Sequence, residues 1–123
     1  MKKRIVVVED DTPTLELIKE TLLEKDYEVT TSDNGKEAEQ LIIQSRPDLI
    51  ILDVMLPGVN GFELAERLKK NKITFHIPII MLTVKEDYGS RLTGFMAGAI
   101  EYIPKPFSLE NLLEKIEKTL SRK

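Results

Sequence analysis

Residues 47–53 read Pro47-Asp48-Leu49-Ile50-Ile51-Leu52-Asp53. The run from Asp48 to Leu52 is too short for a helix, and its Leu49 to Leu52 are apolar on both alternating faces. Such a segment is a strand buried from both sides, as in a parallel sheet covered by helices. Pro47 stops the helix before it, and Asp53 closes the strand with a carboxylate. On the N-terminal side, Ile5-Val6-Val7-Val8 has the same buried character and ends in Glu9-Asp10-Asp11. Thr12 or Asp11 caps a helix with Pro13 in its first turn. Leu15, Ile18, Leu22 and Leu23 form that helix's apolar stripe. Tyr27 to Thr31 alternates, as expected of a strand at the sheet's margin. Asn34-Gly35 is a turn signal, and Ala38, Leu41 and Ile42 mark a second helix.

On the C-terminal side, Pro57-Gly58-Val59-Asn60-Gly61 is a loop, and Phe62, Leu64, Ala65 and Leu68 define a third helix. Ile77 to Leu82 is a strand with Pro78 near its start. A helix is expected between Asp87 and Ala97, ended by Gly98. Ile100 to Ile103 is the fifth strand, and Ser108 caps a last helix carrying Leu109, Leu112, Leu113, Ile116 and Leu120. Strands and helices alternate throughout, which specifies an α/β fold with a parallel sheet and helices on both faces.

Composition sets the outer bounds. The chain has 123 residues, 41% hydrophobic and 32% charged, the mix of one folded domain rather than a disordered segment. There is no Cys, which removes disulfides and thiolate metal sites, and the one His, His76, reads as an exposed loop residue. Lys and Arg number 18 against 21 Asp and Glu, so tight non-specific DNA binding is not expected. No apolar run approaches the ~20 residues of a membrane span, and the basic start lacks a long apolar sequel. A cytoplasmic protein without membrane contact is expected.

Ligands of open parallel sheets bind beyond the carboxyl ends of the strands. Those ends carry Glu9, Asp10 and Asp11, then Asp53, then Thr83 and Lys85, then Lys105-Pro106. Singly, each has an ordinary role as a cap, a turn residue or a strand end, and Asp11 suits a cap. Together they crowd carboxylates on one rim, where mutual repulsion calls for a cation. An all-oxygen set selects a hard ion, Mg2+ or Mn2+. A carboxylate can also act as a nucleophile and form an aspartyl-phosphate, for which Asp53 is the candidate. Met81 and Met96 read as core residues, and the charged stretch from Glu114 to Lys118 as solvated surface.

Five pieces, in order, resemble the receiver domain of two-component response regulators: Val7 to Asp11, Pro47 to Asp53, Leu56 to Gly61, Pro78 to Thr83, and Gly98 to Phe107. The resemblance covers essentially the whole chain as a single domain, residues 1–123. It implies a flavodoxin-like, CheY-like sheet of order 2-1-3-4-5 with five helices. It makes Asp53 the phosphoryl acceptor and Asp10 a direct Mg2+ ligand. Glu9 acts through water, and Met55 offers its backbone carbonyl. Thr83 and Lys105 contact phosphoryl oxygens, Lys105-Pro106 is cis, and Tyr102 turns inward once Thr83 moves.

The implied partner is a histidine kinase or phosphotransfer protein, selected along the first helix around Leu15 to Leu22. Phosphorylation then shifts the face built from the helix over 87–97, the fifth strand and the last helix. Activity is limited to phosphorylation and dephosphorylation of the chain's own Asp53. Three positions depart from the pattern: Asn60 for the usual Asp, Val84 where Ala or Gly is usual, and Ile100 for an acid. Val84 is expected to narrow access to the acceptor and slow hydrolysis.

A Mg2+-dependent phosphatase working through an aspartyl-phosphate is the alternative. Its Asp-x-Asp after strand one is absent, and no cap domain fits in this length. A flavin site would need a Ser/Thr/Gly-rich phosphate cradle where the acidic triplet stands. A docking-only relative that accepts no phosphoryl group would be expected to have lost its acceptor site.

Overall fold

The computed structural model describes residues 2–83 and 98–121, with Thr83 described through its backbone. Its elements are β1 (Arg4–Val8), α1 (Thr12–Glu24), β2 (Glu28–Ser32), α2 (Gly35–Ser45), β3 (Leu49–Asp53), α3 (Gly61–Lys70), β4 (Ile79–Thr83), β5 (Glu101–Pro104) and α4 (Leu109–Leu120). The expected helix between Asp87 and Ala97, together with Val84 and Met96, lies outside the described residues. The strands form one parallel sheet in the order β2-β1-β3-β4-β5, the arrangement expected from the resemblance.

Alternation along the central strands divides the core. Val6, Val8, Ile50, Leu52, Ile79 and Met81 face one layer, where Ala38 and Ile42 of α2 and Leu64, Ala65 and Leu68 of α3 pack. Ile5, Val7, Leu49, Ile51, Ile80 and Leu82 face the other, against Leu15, Ile18 and Leu22 of α1 and Leu112 and Ile116 of α4. Every residue of β3 is buried, as its uninterrupted apolar run requires. β2, at the sheet's edge, is only half-buried. Leu23, read as part of the α1 stripe, is instead 49% exposed, because the buried stripe runs through Leu15, Ile18 and Leu22.

Local chemistry sets the boundaries. Asp11 is the N-cap of α1 and Ser108 that of α4, each accepting a backbone N–H from the first turn. Asn34, expected in a turn, is the N-cap of α2, and Gly35 is already helical. Asn60 likewise caps α3, accepting from Phe62 N–H at 2.7 Å. α2 stops before Arg46, which takes a left-handed φ of 47° ahead of Pro47. β4 starts at Ile79 rather than Ile77, since Ile77 N–H closes a turn onto the Thr74 carbonyl and Pro78 has no N–H to donate. No helix among the described residues is long and apolar enough to cross a membrane.

Candidate functional site

The register brings the carboxyl ends of four strands level. Val8 lies opposite Leu52, Asp53 opposite Leu82, and Thr83 opposite Pro104. The next residue along each chain therefore emerges on one rim. Glu9 follows β1, Asp53 closes β3, and Lys105 follows β5. Val54 N–H donates to the Leu82 carbonyl at 2.9 Å, and the Asn60 cap starts α3 directly behind Asp53.

Glu9 is fully buried and Asp53 is 3% exposed, whereas Asp10 is exposed. One carboxylate oxygen from each of the three lies within 4.8 Å of the others. Lys105 Nζ stands 2.6 Å from Glu9 Oε1 and 3.3 Å from Asp53 Oδ2. The contact with Glu9 falls outside hydrogen-bonding angles, so it acts as an ion pair. Oε1 of Glu9 has no hydrogen-bond donor among the described residues. The other Glu9 oxygen accepts Asp11 N–H at 3.1 Å, and Asp53 Oδ1 accepts Met55 N–H at 3.2 Å. The Lys105-Pro106 peptide bond is cis.

Charge balance governs this cluster. Burial pushes the Asp53 carboxyl up to about 7, and its contact with the Glu9 carboxylate adds to the shift; Lys105 and the Met55 N–H oppose it. Burial works against the Lys105 charge, but the two carboxylates outweigh burial and hold the ammonium above its usual range. Asp11 is drawn the other way. Its carboxylate accepts from the hydroxyl and N–H of Thr14, which lower its pKa, and it serves as a cap.

Three carboxylates facing one ammonium leave excess negative charge. An oxygen-only donor set with a buried, under-bonded Glu9 oxygen fits a hard divalent cation.

The structure thus brings together Glu9, Asp10, Asp53 and Lys105. Met55 adjoins Asp53 and is 62% exposed. Asp10, Met55 and Asn60 line a cavity of about 470 Å3 with Val54, Leu56, Pro57, Gly58 and Val59. Thr83 closes β4 beside Asp53's strand. Tyr102, expected to turn inward after Thr83 moves, is already buried against the α2 and α3 side of the core. His76 is exposed, as expected.

Sequence reasoning missed Gly61 as a site residue. A Cβ there would stand 2.3 Å from the Asp53 carbonyl oxygen and 2.7 Å from Val54 Cα. Its N–H donates to the Val54 carbonyl at 2.8 Å, so the start of α3 seats directly on the backbone at Asp53 and Val54. The adjoining Asn60 could have signalled this as a helix cap rather than a loop residue.

Residues 5–117 match the family model of the response regulator receiver domain. The chain is 42% identical to the phosphate regulon transcriptional regulatory protein PhoB of Pseudomonas aeruginosa over 120 residues, covering 98% of this chain and 52% of PhoB. It spans about half the length of the curated relatives it matches. A putative response regulator from Chloroflexus aurantiacus superimposes with a TM-score of 0.94 at 35% identity, covering 99% of this chain and 100% of the other. The receiver domain of the sensor histidine kinase PA1611 from Pseudomonas aeruginosa, solved with a magnesium ion in its active site cleft, gives a TM-score of 0.91 at 26% identity, covering 99% and 100%. The acidic rim and its lysine thus lie on the scaffold these proteins share, and the chain belongs to the response regulator receiver domain family of two-component signalling.

Proposed function

We propose that Asp53 takes a phosphoryl group from a phosphohistidine on a kinase or phosphotransfer protein, and that Mg2+ is the resident cation. The observation that carries this reading is the convergence of a buried acceptor carboxylate, two further carboxylates and the Lys105 ammonium on one rim. Glu9, acting through water, with Asp10, Asp53 and the Met55 carbonyl would hold Mg2+. When bound, it offsets charge on the phosphoryl oxygens.

The chain's own residues then divide the work. Asp53 Oδ attacks phosphorus as the bond to the donor nitrogen breaks, and the imidazole leaves with the electron pair and gains a proton. Attack requires the ionised carboxylate, and a neighbouring cation raises the ionised fraction of a group that burial has pushed up to about 7. Lys105, already within ion-pair range, offsets charge on an equatorial oxygen. The family pattern gives Thr83 a second phosphoryl contact and Tyr102 the response to it. Val84, outside the described residues, would restrict water at the acceptor. The chain thereby acts as a signal receiver whose only chemistry is on its own Asp53, and the shifted face would include β5 and α4.

Incubation with phosphoramidate and Mg2+, followed by intact-mass measurement, tests the proposal. The expected result is gain of one phosphoryl group that is lost in Asp53→Asn. Continuous donor turnover without a long-lived adduct would support a phosphatase instead.

A further inference from the structure

Met55 is the most exposed of the large hydrophobic side chains among the described residues, at 62%, whereas Met81 is fully buried at 0%. What sets this residue apart is its place: Leu17, Leu23, Ile73, Phe75 and Ile100 are exposed too, but Met55 stands two residues from Asp53. The Met55 N–H donates to Asp53 Oδ1 at 3.2 Å, and the residue lines the cavity that also holds Asp10. A change in the bulk or polarity of this residue therefore falls next to Asp53.

We infer that Met55 is an oxidisable site, converted by peroxides to the sulfoxide, and that this conversion slows phosphoryl acceptance at the adjoining acceptor. The inference rests on Asp53 being the acceptor. The sulfur lone pair attacks one peroxide oxygen, and the O–O bond breaks as the S–O bond forms. The remaining oxygen takes a proton and leaves as water from hydrogen peroxide. Sulfur loses two electrons and the peroxide gains them. A thiol-dependent sulfoxide reductase reverses the change.

The product is bulkier and chiral, and its oxygen carries partial negative charge. It joins a rim already crowded by Glu9, Asp10 and Asp53, with Lys105 the near cation, so approach of an anionic phosphoryl donor becomes less favourable. Met81, fully buried between β3 and β5, is shielded from the same reagent.

The experiment treats the full chain with dilute hydrogen peroxide, maps sulfoxide by peptide mass spectrometry, and then measures the initial rate of phosphoryl gain from phosphoramidate with Mg2+. Met55 should convert at least about tenfold faster than Met81, and acceptance should slow by about threefold or more. Reductase treatment should restore the rate. In Met55→Leu, the ratio of treated to untreated rates should be close to one, whatever that variant's own rate.

Equal conversion of the two methionines would overturn the inference. So would an unchanged rate at full Met55 conversion, or an equal response in Met55→Leu. An untreated chain that takes no phosphoryl group would instead remove the acceptor reading, and this inference with it.

Discussion

Lys105 Nζ lies 3.3 Å from Asp53 Oδ2, although the two residues are 52 positions apart in sequence. The parallel register creates this contact by levelling the ends of β3, β4 and β5. The same ammonium stands 2.6 Å from Glu9 Oε1, so one cation serves two buried carboxylates.

Replacing that cation exposes its worth. Lys105→Met leaves Glu9 and Asp53 facing each other without compensation. Urea unfolding at neutral pH without divalent ions should show a loss of about 1–3 kcal/mol. Phosphoryl gain from phosphoramidate should slow about a hundredfold, the scale for losing one preorganised charge partner. Unchanged stability would mean that the ion pairs contribute nothing net.

The raised Asp53 carboxyl has a definite sign in stability. In the unfolded chain this group titrates near 3.8, and in the folded protein at about 7. Between those values the native state holds a proton that the unfolded state has released, so stability falls as pH rises through that window and levels off above it. Asp53→Asn removes the conflict and leaves Glu9 paired with Lys105. The metal-free variant should be more stable than wild type at pH 7.5, by on the order of 2 kcal/mol, with a flatter profile from pH 5 to 7.5. Urea midpoints across that range check it, and parallel profiles for the two proteins would contradict it.

Divalent ions should act in the same direction as that substitution. Mg2+ held as proposed would occupy a site the unfolded chain does not possess, so at a hundredfold excess over Kd it should stabilise by about 2.7 kcal/mol. Thermal melting with Mg2+ and with a chelator should differ clearly for wild type, and much less for Asp10→Asn. Identical melting curves would argue against a resident cation among these carboxylates.

Gly61 and Gly58 make a paired test of the loop that follows Asp53. At Gly61 a Cβ would meet the Asp53 carbonyl oxygen at 2.3 Å, with no flexible group able to yield. Gly61→Ala should cost about 3 kcal/mol and disturb acceptance, because Asp53's own backbone must shift. Gly58 has φ +86° and nothing within 4 Å, so Gly58→Ala should cost only about 1 kcal/mol of backbone strain. Denaturant midpoints of the two variants separate these effects, and equal costs would contradict the close seating of α3 on Asp53.

Much of this architecture is legible in the chain. The run Leu49-Ile50-Ile51-Leu52 has no polar face to give to water, so it demands cover on both sides and fixes the layered α/β arrangement. Glu9 and Asp53 end adjacent strands, and once those strands are parallel their meeting follows from register. Strand order, by contrast, depends on pairings between distant segments and came from family resemblance rather than from periodicity.

The misreadings were local. Asn34 and Asn60 satisfy turn and cap chemistry equally well, and only the packing of Gly35 and Gly61 decides for helix. Leu23 fits an apolar count on α1, but its angular position turns it outward. The tight approach of Gly61 to Asp53 depends on where a later helix lands, which spacing along the chain does not encode.

The most direct test of the central claim locates the phosphoryl group itself. The chain is phosphorylated with phosphoramidate and Mg2+, reduced with borohydride to convert an aspartyl-phosphate to homoserine, and sequenced by tandem mass spectrometry. Homoserine at position 53 and at no other carboxylate is the predicted result. Conversion at Asp10 or Glu9, or phosphoryl gain without any reducible acyl phosphate, would contradict it.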